Sequence, residues 1–224
     1  DYKSGKGFRA RARHKGGGRS EFRGRGRGRS GASRQQDRYR PLGRPEVLKV
    51  LQSQDMLPAI TFIFSRAGCD GALYQCLRSR MVLTSQEEAQ QIKEIVDAGV
   101  EGIPEEDLQV LDFKRWREAL SRGFAAHHAG MLPAFRHIVE DLFVRGLVRA
   151  VFATETLALG INMPARTVVL EKLIKFNGEA HVDLTPGQYT QLTGRAGRRG
   201  IDTLGNAVVQ WAPAMDCLLY TSPS

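Results

Sequence analysis

The chain has 224 residues, with 33 Lys and Arg against 24 Asp and Glu for a formal charge of +9, and 42% of its residues are hydrophobic. That length suits one domain with an appendage and supplies enough apolar material for a core; no apolar run reaches the 18 or so residues of a membrane span, and the amino terminus lacks the apolar stretch of a signal peptide. The three cysteines, Cys69, Cys76 and Cys217, have neither CxxC spacing nor an even number, which argues against a disulfide scaffold or a cysteine zinc site and for reduced thiols inside a cell.

The charge is unevenly placed. Residues 1–44 carry 15 Lys and Arg against 3 Asp and Glu, a net of +12, together with ten glycines; residues 45–224 carry the other 18 against 21, a net of −3. The first stretch has too little apolar surface to offset its ordering entropy, and its centre, Phe22 to Arg29, alternates Arg with Gly. It reads as a flexible cationic arm or interdomain linker. Such an arm binds phosphate backbones with little sequence preference and a steep salt dependence.

The composition switches near Pro41 to Pro45, and the folded domain is expected over 45–213. Arg44 to Gln54 has the periodicity of a helix, with Val47, Leu48 and Leu51 on one face. Ala59 to Phe64 is a continuous apolar run, as for a strand buried on both faces. A helix is predicted over Arg66–Arg78. Thr84 and Ser85 each precede a Glu by three, the signature of a capping box, so a helix follows that turns Ala89, Ile92, Ile95 and Val96 inward. A further helix is predicted over Glu105–Ser121 around Leu108, Leu111, Trp116 and Leu120. Phe124 to His127 reads as a strand. Phe135, Ile138, Val139, Leu142 and Phe143 form one face of an amphipathic helix. Val148 to Ala153 and Thr167 to Leu170 are strands. Thr185, Pro186 and Gln188 combine an N-cap, a first-position proline and a Gln three after the cap, and Ala207 to Trp211 is a last strand. Residues 214–224 break the pattern and are expected to form an unstructured tail. Alternating strands and helices predict an open α/β domain with a parallel sheet covered on both faces, and in such sheets ligands bind beyond the carboxyl ends of the strands.

Four segments carry candidate chemistry. In Gln191-Leu-Thr-Gly194-Arg195-Ala-Gly197-Arg198-Arg199-Gly200, the spacing of Arg195 and Arg198 predicts that they point the same way on a helical turn, with Gly194 and Gly197 leaving room for a phosphate, whose oxygens suit a guanidinium fork. A basic helix end is the plainer reading of such a pair. In Phe152 to Arg166 a strand end is followed by Thr154 and Thr156, then by Gly160 and Asn162; either threonine could cap a helix and leave its free amides to an anion. Ser65 and Arg66 follow another strand end. His127, His128 and Gly130 form the fourth segment. Adjacent histidines with no third ligand at metal spacing predict no metal site, and a phosphate contact competes with simple packing.

These segments, FIFSR, HHAGM, FATETLALGINMPAR and QLTGRAGRRG, occur in an order and spacing that resembles the second RecA-like domain of superfamily 2 helicases, and within those the superkiller-like (Ski-type) DExH-box enzymes of the actinobacterial and plastid branch. The resemblance spans roughly residues 42–213. It implies a RecA-like fold of the P-loop NTPase type, ATP with Mg2+ as cofactors, and RNA, or else DNA, as partner. It further implies that Arg195 and Arg198 are arginine fingers to the γ-phosphate and that Gln191 couples the cleft to the other domain. By the same resemblance Gly160, Asn162, Gly194 and Gly197 lie at the nucleotide, Ser65, Arg66, His127, Gly130, Thr154 and Thr156 lie along the nucleic acid, and the helices of 84–121 are an insertion. The implied setting is a bacterial cytoplasm or a plastid.

The 224 residues contain no GxxxxGK[ST] string, Gly5-Lys6 being followed by Gly7, and no DExH or DExD tetrad. In the family those belong to the first RecA-like domain, which would hold Mg2+ and act as this domain's partner. The expectation is therefore half of an active site, inactive alone, within an ATP-dependent helicase. The rival readings are a non-catalytic RNA-binding module driven by the Arg-Gly arm, and a structural domain that has lost its chemistry.

Overall fold

The computed structural model describes residues 41–159 and 163–210. Residues 1–40 of the cationic arm, Gly160, Asn162, Trp211, Cys217 and the predicted tail lie outside the described residues.

Helix α1 (Arg44–Ser53) opens with Pro45 and with the Glu46 carboxylate accepting from the Gly43 amide at 2.6 Å. Strand β1 (Ala59–Phe62) stops two residues short of the predicted Phe64, and α2 (Arg66–Arg78) has the predicted bounds because the Ser65 hydroxyl caps the Gly68 amide at 3.1 Å. Helix α3 (Gln86–Gly99) starts on the capping box of Ser85 and Glu88 and buries Ile92 and Val96.

The single helix expected over 105–121 is two, α4 (Glu105–Val110) and α5 (Phe113–Ser121). Asp112 between them has φ +52°, the left-handed region that Asp tolerates better than most residues. The turn leaves Leu111 exposed, whereas Trp116 and Leu120 are buried.

Strand β2 (Phe124–His127) follows as predicted, then α6 (Pro133–Val144) with the five expected residues buried, β3 (Ala150–Ala153), a short 3-10 turn (Glu155–Leu159) and β4 (Thr167–Leu170). A hairpin that the strand pattern did not predict, β5 (Ile174–Phe176) and β6 (His181–Asp183), precedes α7 (Pro186–Thr193) and the last strand β7 (Asn206–Val209).

The five-stranded sheet has the order β2-β3-β1-β4-β7 and every pairing is parallel, as predicted. The registers align His127, Ala153, Phe62, Leu170 and Val209 at one edge of the sheet. Successive side chains alternate between two faces. Ile60, Phe62, Val151 and Val168 pack with Ile92, Trp116, Val139 and Leu142 from α3, α5 and α6. Ala59, Phe124, Phe152 and Val169 pack with Leu48, Leu51, Cys69, Leu73 and Cys76 from α1 and α2. The helices of 84–121 thus close one face of the main core. Burial pushes the thiols of Cys69 and Cys76 up to about 12, so both behave as small core residues.

Candidate functional site

The aligned strand ends divide the candidate residues between two opposite edges. At the carboxyl edge, Ser65 and Arg66 follow β1 and are exposed. The Gly130 amide donates to His128 Nδ1 at 3.2 Å, and a Cβ built on Gly130 would stand 3.3 Å from Arg66 Cδ, so Ser65, Arg66 and Gly130 share one surface. Thr154 and Thr156 follow β3 with their hydroxyls 2.9 Å apart, Thr156 exposed and Thr154 partly so. No helix is capped there as the sequence allowed; the threonines open a 3-10 turn. These hydroxyls and one guanidinium can hold a phosphodiester backbone without reading its bases.

His127 does not belong to that surface. Its side chain is 3% exposed and its Nε2 lies 2.8 Å from the Glu140 carboxylate, so the expected place on a nucleic-acid track gives way to a core role. From the last position of β2 the ring turns inward onto Glu140 of α6. Burial lowers its pKa below the ordinary value of 6.5, against the opposing pull of Glu140. The neutral ring therefore favours the fold fully above pH 6.5, and that contribution is lost as the pH falls below it. Melting temperatures of the wild type and His127→Gln, followed downward from pH 7, should converge; a constant difference would contradict the shift. His128, beside it, bonds Asp70 at 3.1 Å.

The hairpin stands beyond the carboxyl end of β4. The rings of Phe176 and His181 meet at a tilt, 5.5 Å between centroids, and both are exposed, while Lys175 is tied to Glu155 at 2.7 Å. The Asn177-Gly178 pair was the signal that could have found it: Gly178 has φ +110°, and Asn177 Oδ1 accepts from the amides of Glu179 and Ala180, each at 2.9 Å.

The glycine and arginine segment ends at the amino edge. Helix α7, whose capping box is Thr185 and Gln188, lies against the turn Glu155–Leu159 and carries Gln191 on its exposed surface. It stops at Thr193, so Arg195 and Arg198 do not share the helical turn that their spacing predicted. The backbone instead runs beside Ala165, two residues before β4: the Ala165 amide donates to Arg195 O at 3.0 Å and the Gly197 amide to Ala165 O at 2.7 Å, a parallel bridge between Ala165 and Ala196. Both glycines sit at close backbone approaches. Gly197 has φ +92°, and a Cβ there would lie 3.3 Å from Gly205 Cα; one on Gly194 would lie 2.9 Å from Thr190 O.

Arg198 is held by Asp202, which the sequence reading passed over. Arg198 Nε donates to Asp202 Oδ2 and Nη2 to Oδ1, both at 2.8 Å, and the Arg198 amide donates to Oδ2 at 3.0 Å. The Asp202 side chain is 3% exposed against 26% for Arg198, and Arg198 holds its carboxyl down to about 2. Arg166 approaches the same carboxylate at 3.7 Å and bonds Asp55 at 2.6 Å. Arg198, Arg166 and Arg149 together line a cavity of about 410 Å³ with Asp55 at its side. Guanidinium groups around an open polar cavity suit phosphoryl oxygens. Among the described residues no group of His, Cys, Asp and Glu is placed to hold a metal ion, and no described helix is long and apolar enough to cross a membrane.

Residues 102–200 match the helicase conserved C-terminal domain family. The chain is 67% identical over 178 residues to the probable helicase HelY of Mycobacterium tuberculosis, covering 80% of this chain and 20% of that protein. It is 35% identical over 179 residues to the antiviral helicase SKI2 of Saccharomyces cerevisiae, covering 80% of this chain and 13% of the relative. Against the DExH-box ATP-dependent RNA helicase DExH11 of Arabidopsis thaliana it is 40% identical over 163 residues, covering 73% and 12%. The chain thus spans a fifth or less of the length of these relatives. With its parallel five-stranded sheet and the order of its loops, it belongs to the superkiller-like superfamily 2 helicases as their C-terminal RecA-like domain.

Proposed function

We propose that the intact protein is an ATP-dependent RNA helicase of the bacterial cytoplasm or a plastid, to which this domain contributes arginine fingers at its amino edge and a strand-binding surface at its carboxyl edge. The observation that carries the reading is the geometry of Arg198. Asp202 occupies Nε and Nη2, whereas Nη1 has no partner among the described residues and is not sealed from solvent, and the side chain lines the arginine-rich cavity. A guanidinium so held is ready for a phosphoryl oxygen. Arg195 is assigned the same task by its place in the motif, Gln191 the link between cleft and partner domain, and Gly160 and Asn162 the nucleotide and sensor contacts. Mg2+, which neutralises charge on the transferring phosphoryl group, would be held by the first RecA-like domain of the same polypeptide. RNA is preferred over DNA because a relative at 40% identity is named an RNA helicase. The phosphate-directed surface itself is indifferent to the sugar.

The test is steady-state ATPase of the full-length protein with single-stranded RNA, with DNA and with neither, beside the 224-residue chain alone. The expected result is hydrolysis stimulated more by RNA than by DNA in the full-length protein and none above background in the shorter chain. Turnover by the shorter chain would contradict a site divided between two domains. RNA binding without turnover in the full-length protein would favour the non-catalytic module led by the Arg-Gly arm.

A further inference from the structure

The amino-edge cavity contains more ion pairing than a single finger needs. Asp55, Arg166, Asp202 and Arg198 form a chain of alternating charges, running from an aspartate whose side chain is 90% exposed to one that is 3% exposed. The buried member is the one that grips Arg198. Asp202 sits four residues after Arg198 in a tight turn closed by its own backbone: the amides of Ile201 and Asp202 donate to Arg198 O at 3.0 and 2.9 Å. Both carboxylate oxygens are thereby committed, Oδ2 to Arg198 Nε and the Arg198 amide, Oδ1 to Nη2 with Arg166 behind it.

A guanidinium has two edges that can each make a paired contact, one through Nε and an Nη, the other through both Nη atoms. An arginine with a long flexible stem loses much side-chain entropy when it is fixed at one point. Here the first edge is filled from below and the second is left unfilled among the described residues. A buried carboxylate with one arginine would also cancel the charge that the finger is meant to present. Arg166, 3.7 Å from Asp202 and 2.6 Å from Asp55, sets a second positive charge beside the buried carboxylate, so that the four groups together carry no net charge instead of a local excess of negative charge around Arg198.

We propose that Asp202 is the positioning residue for Arg198, presenting its terminal Nη edge to a phosphoryl oxygen, with Arg166 offsetting the charge that Asp202 brings. The inference rests on Arg198 acting on nucleotide. Asparagine at 202 keeps the shape but offers one acceptor oxygen and places an amide donor against a guanidinium donor. Arg198 then turns away from the geometry that it holds in the wild type.

The experiment is a double-mutant cycle in the full-length protein with Asp202→Asn, Arg198→Ala and the pair, reading kcat and KM for ATP in saturating RNA. Asp202→Asn is expected to lower kcat by about 10- to 100-fold, less than the roughly 10²- to 10³-fold lost when a preorganised donor is removed outright, with KM within about threefold of wild type. In the Arg198→Ala background the same change should lower kcat no further. A general weakening of the turn would reduce kcat by the same factor in both backgrounds, and that result overturns the proposal. So does a wild-type kcat for Asp202→Asn when Arg198→Ala alone is impaired. If Arg198→Ala leaves kcat unchanged, the finger assignment itself fails, and the positioning role fails with it. As a second variant, Arg166→Gln should lower kcat by a smaller factor than Asp202→Asn; an equal or larger loss would show that Arg166, not Asp202, sets the finger.

Discussion

Arg198→Ala in the full-length protein is expected to lower ATP turnover by about 10³- to 10⁵-fold while leaving nucleotide affinity within a small factor of wild type. That range corresponds to about 4 to 7 kcal/mol of transition-state stabilisation. The size follows from where the charge is needed. Phosphoryl transfer spreads negative charge over the transferring group only as the reaction proceeds, so a guanidinium meeting it lowers the barrier more than it tightens ground-state binding. Arg198 is preset for this by Asp202 and need not reorganise when the charge appears. Lysine at 198 should recover little, since an ammonium cannot fill the Asp202 fork and offer a planar edge at once. Single-turnover hydrolysis beside equilibrium binding of a fluorescent ATP analogue separates the two effects. An unaltered hydrolysis rate, or a loss confined to binding, would show that Arg198 is not the finger.

Gly205→Ala should be the most damaging single methyl group in the domain. A Cβ at that position would lie 2.4 Å from both the carbonyl carbon and the oxygen of Ala196 and 2.6 Å from the Gly197 amide nitrogen. These are backbone atoms, and they cannot yield as a side chain can, because Arg195 O and the Gly197 amide are both bonded to Ala165. The substitution must push the bridge away from β4, or β7 away from the sheet. Overpacking of this kind costs about 1 to 3 kcal/mol in ordinary cores and more where the clash is with backbone; about 3 kcal/mol or more is expected here. Gly71→Ala is the contrast, since it lies in α2 with nothing within 4 Å of its added Cβ, and helix propensity favours alanine by roughly 1 kcal/mol. Thermal melts of the three proteins should place Gly205→Ala well below wild type and Gly71→Ala at or above it. A Gly205→Ala melt equal to wild type would contradict the close approach.

Much of the fold was legible because its signals are local. The Ser85 and Thr185 caps start helices where the chain places them, and apolar runs fully buried in the sheet mark β1 to β4. Periodicity could not show the break at Asp112, since Leu108, Leu111 and Trp116 fit one helical stripe on paper and only the left-handed turn parts them. The hairpin was missed because its strands have three residues each and their alternation is weak, although Asn177-Gly178 announced the turn. At the candidate site the spacing of the motif residues was plain, but their conformation was not. Arg195 and Arg198 share a three-residue spacing that a helix would align, but the segment turns after Thr193 and is pinned to Ala165, thirty residues earlier, and against Gly205 in the loop before β7. His127 illustrates the same limit, since a strand's last residue faces inward or outward according to register and nothing in HHAGM says which. Asp202 was overlooked because an acid after an arginine tract reads as ordinary charge balance.

The two edges of the sheet are separated by strands of four residues, about 13 Å of extended chain, and α7 covers a similar span in eight residues, about 12 Å. Its first turn adjoins the hairpin side and its last leads directly into the arginine segment. A side chain rooted at the carboxyl rim therefore stands about 13 Å from one rooted at the amino rim. What joins the two lips is the length of the strands and of α7, a lever arm with the hairpin at one end and the arginine loop at the other.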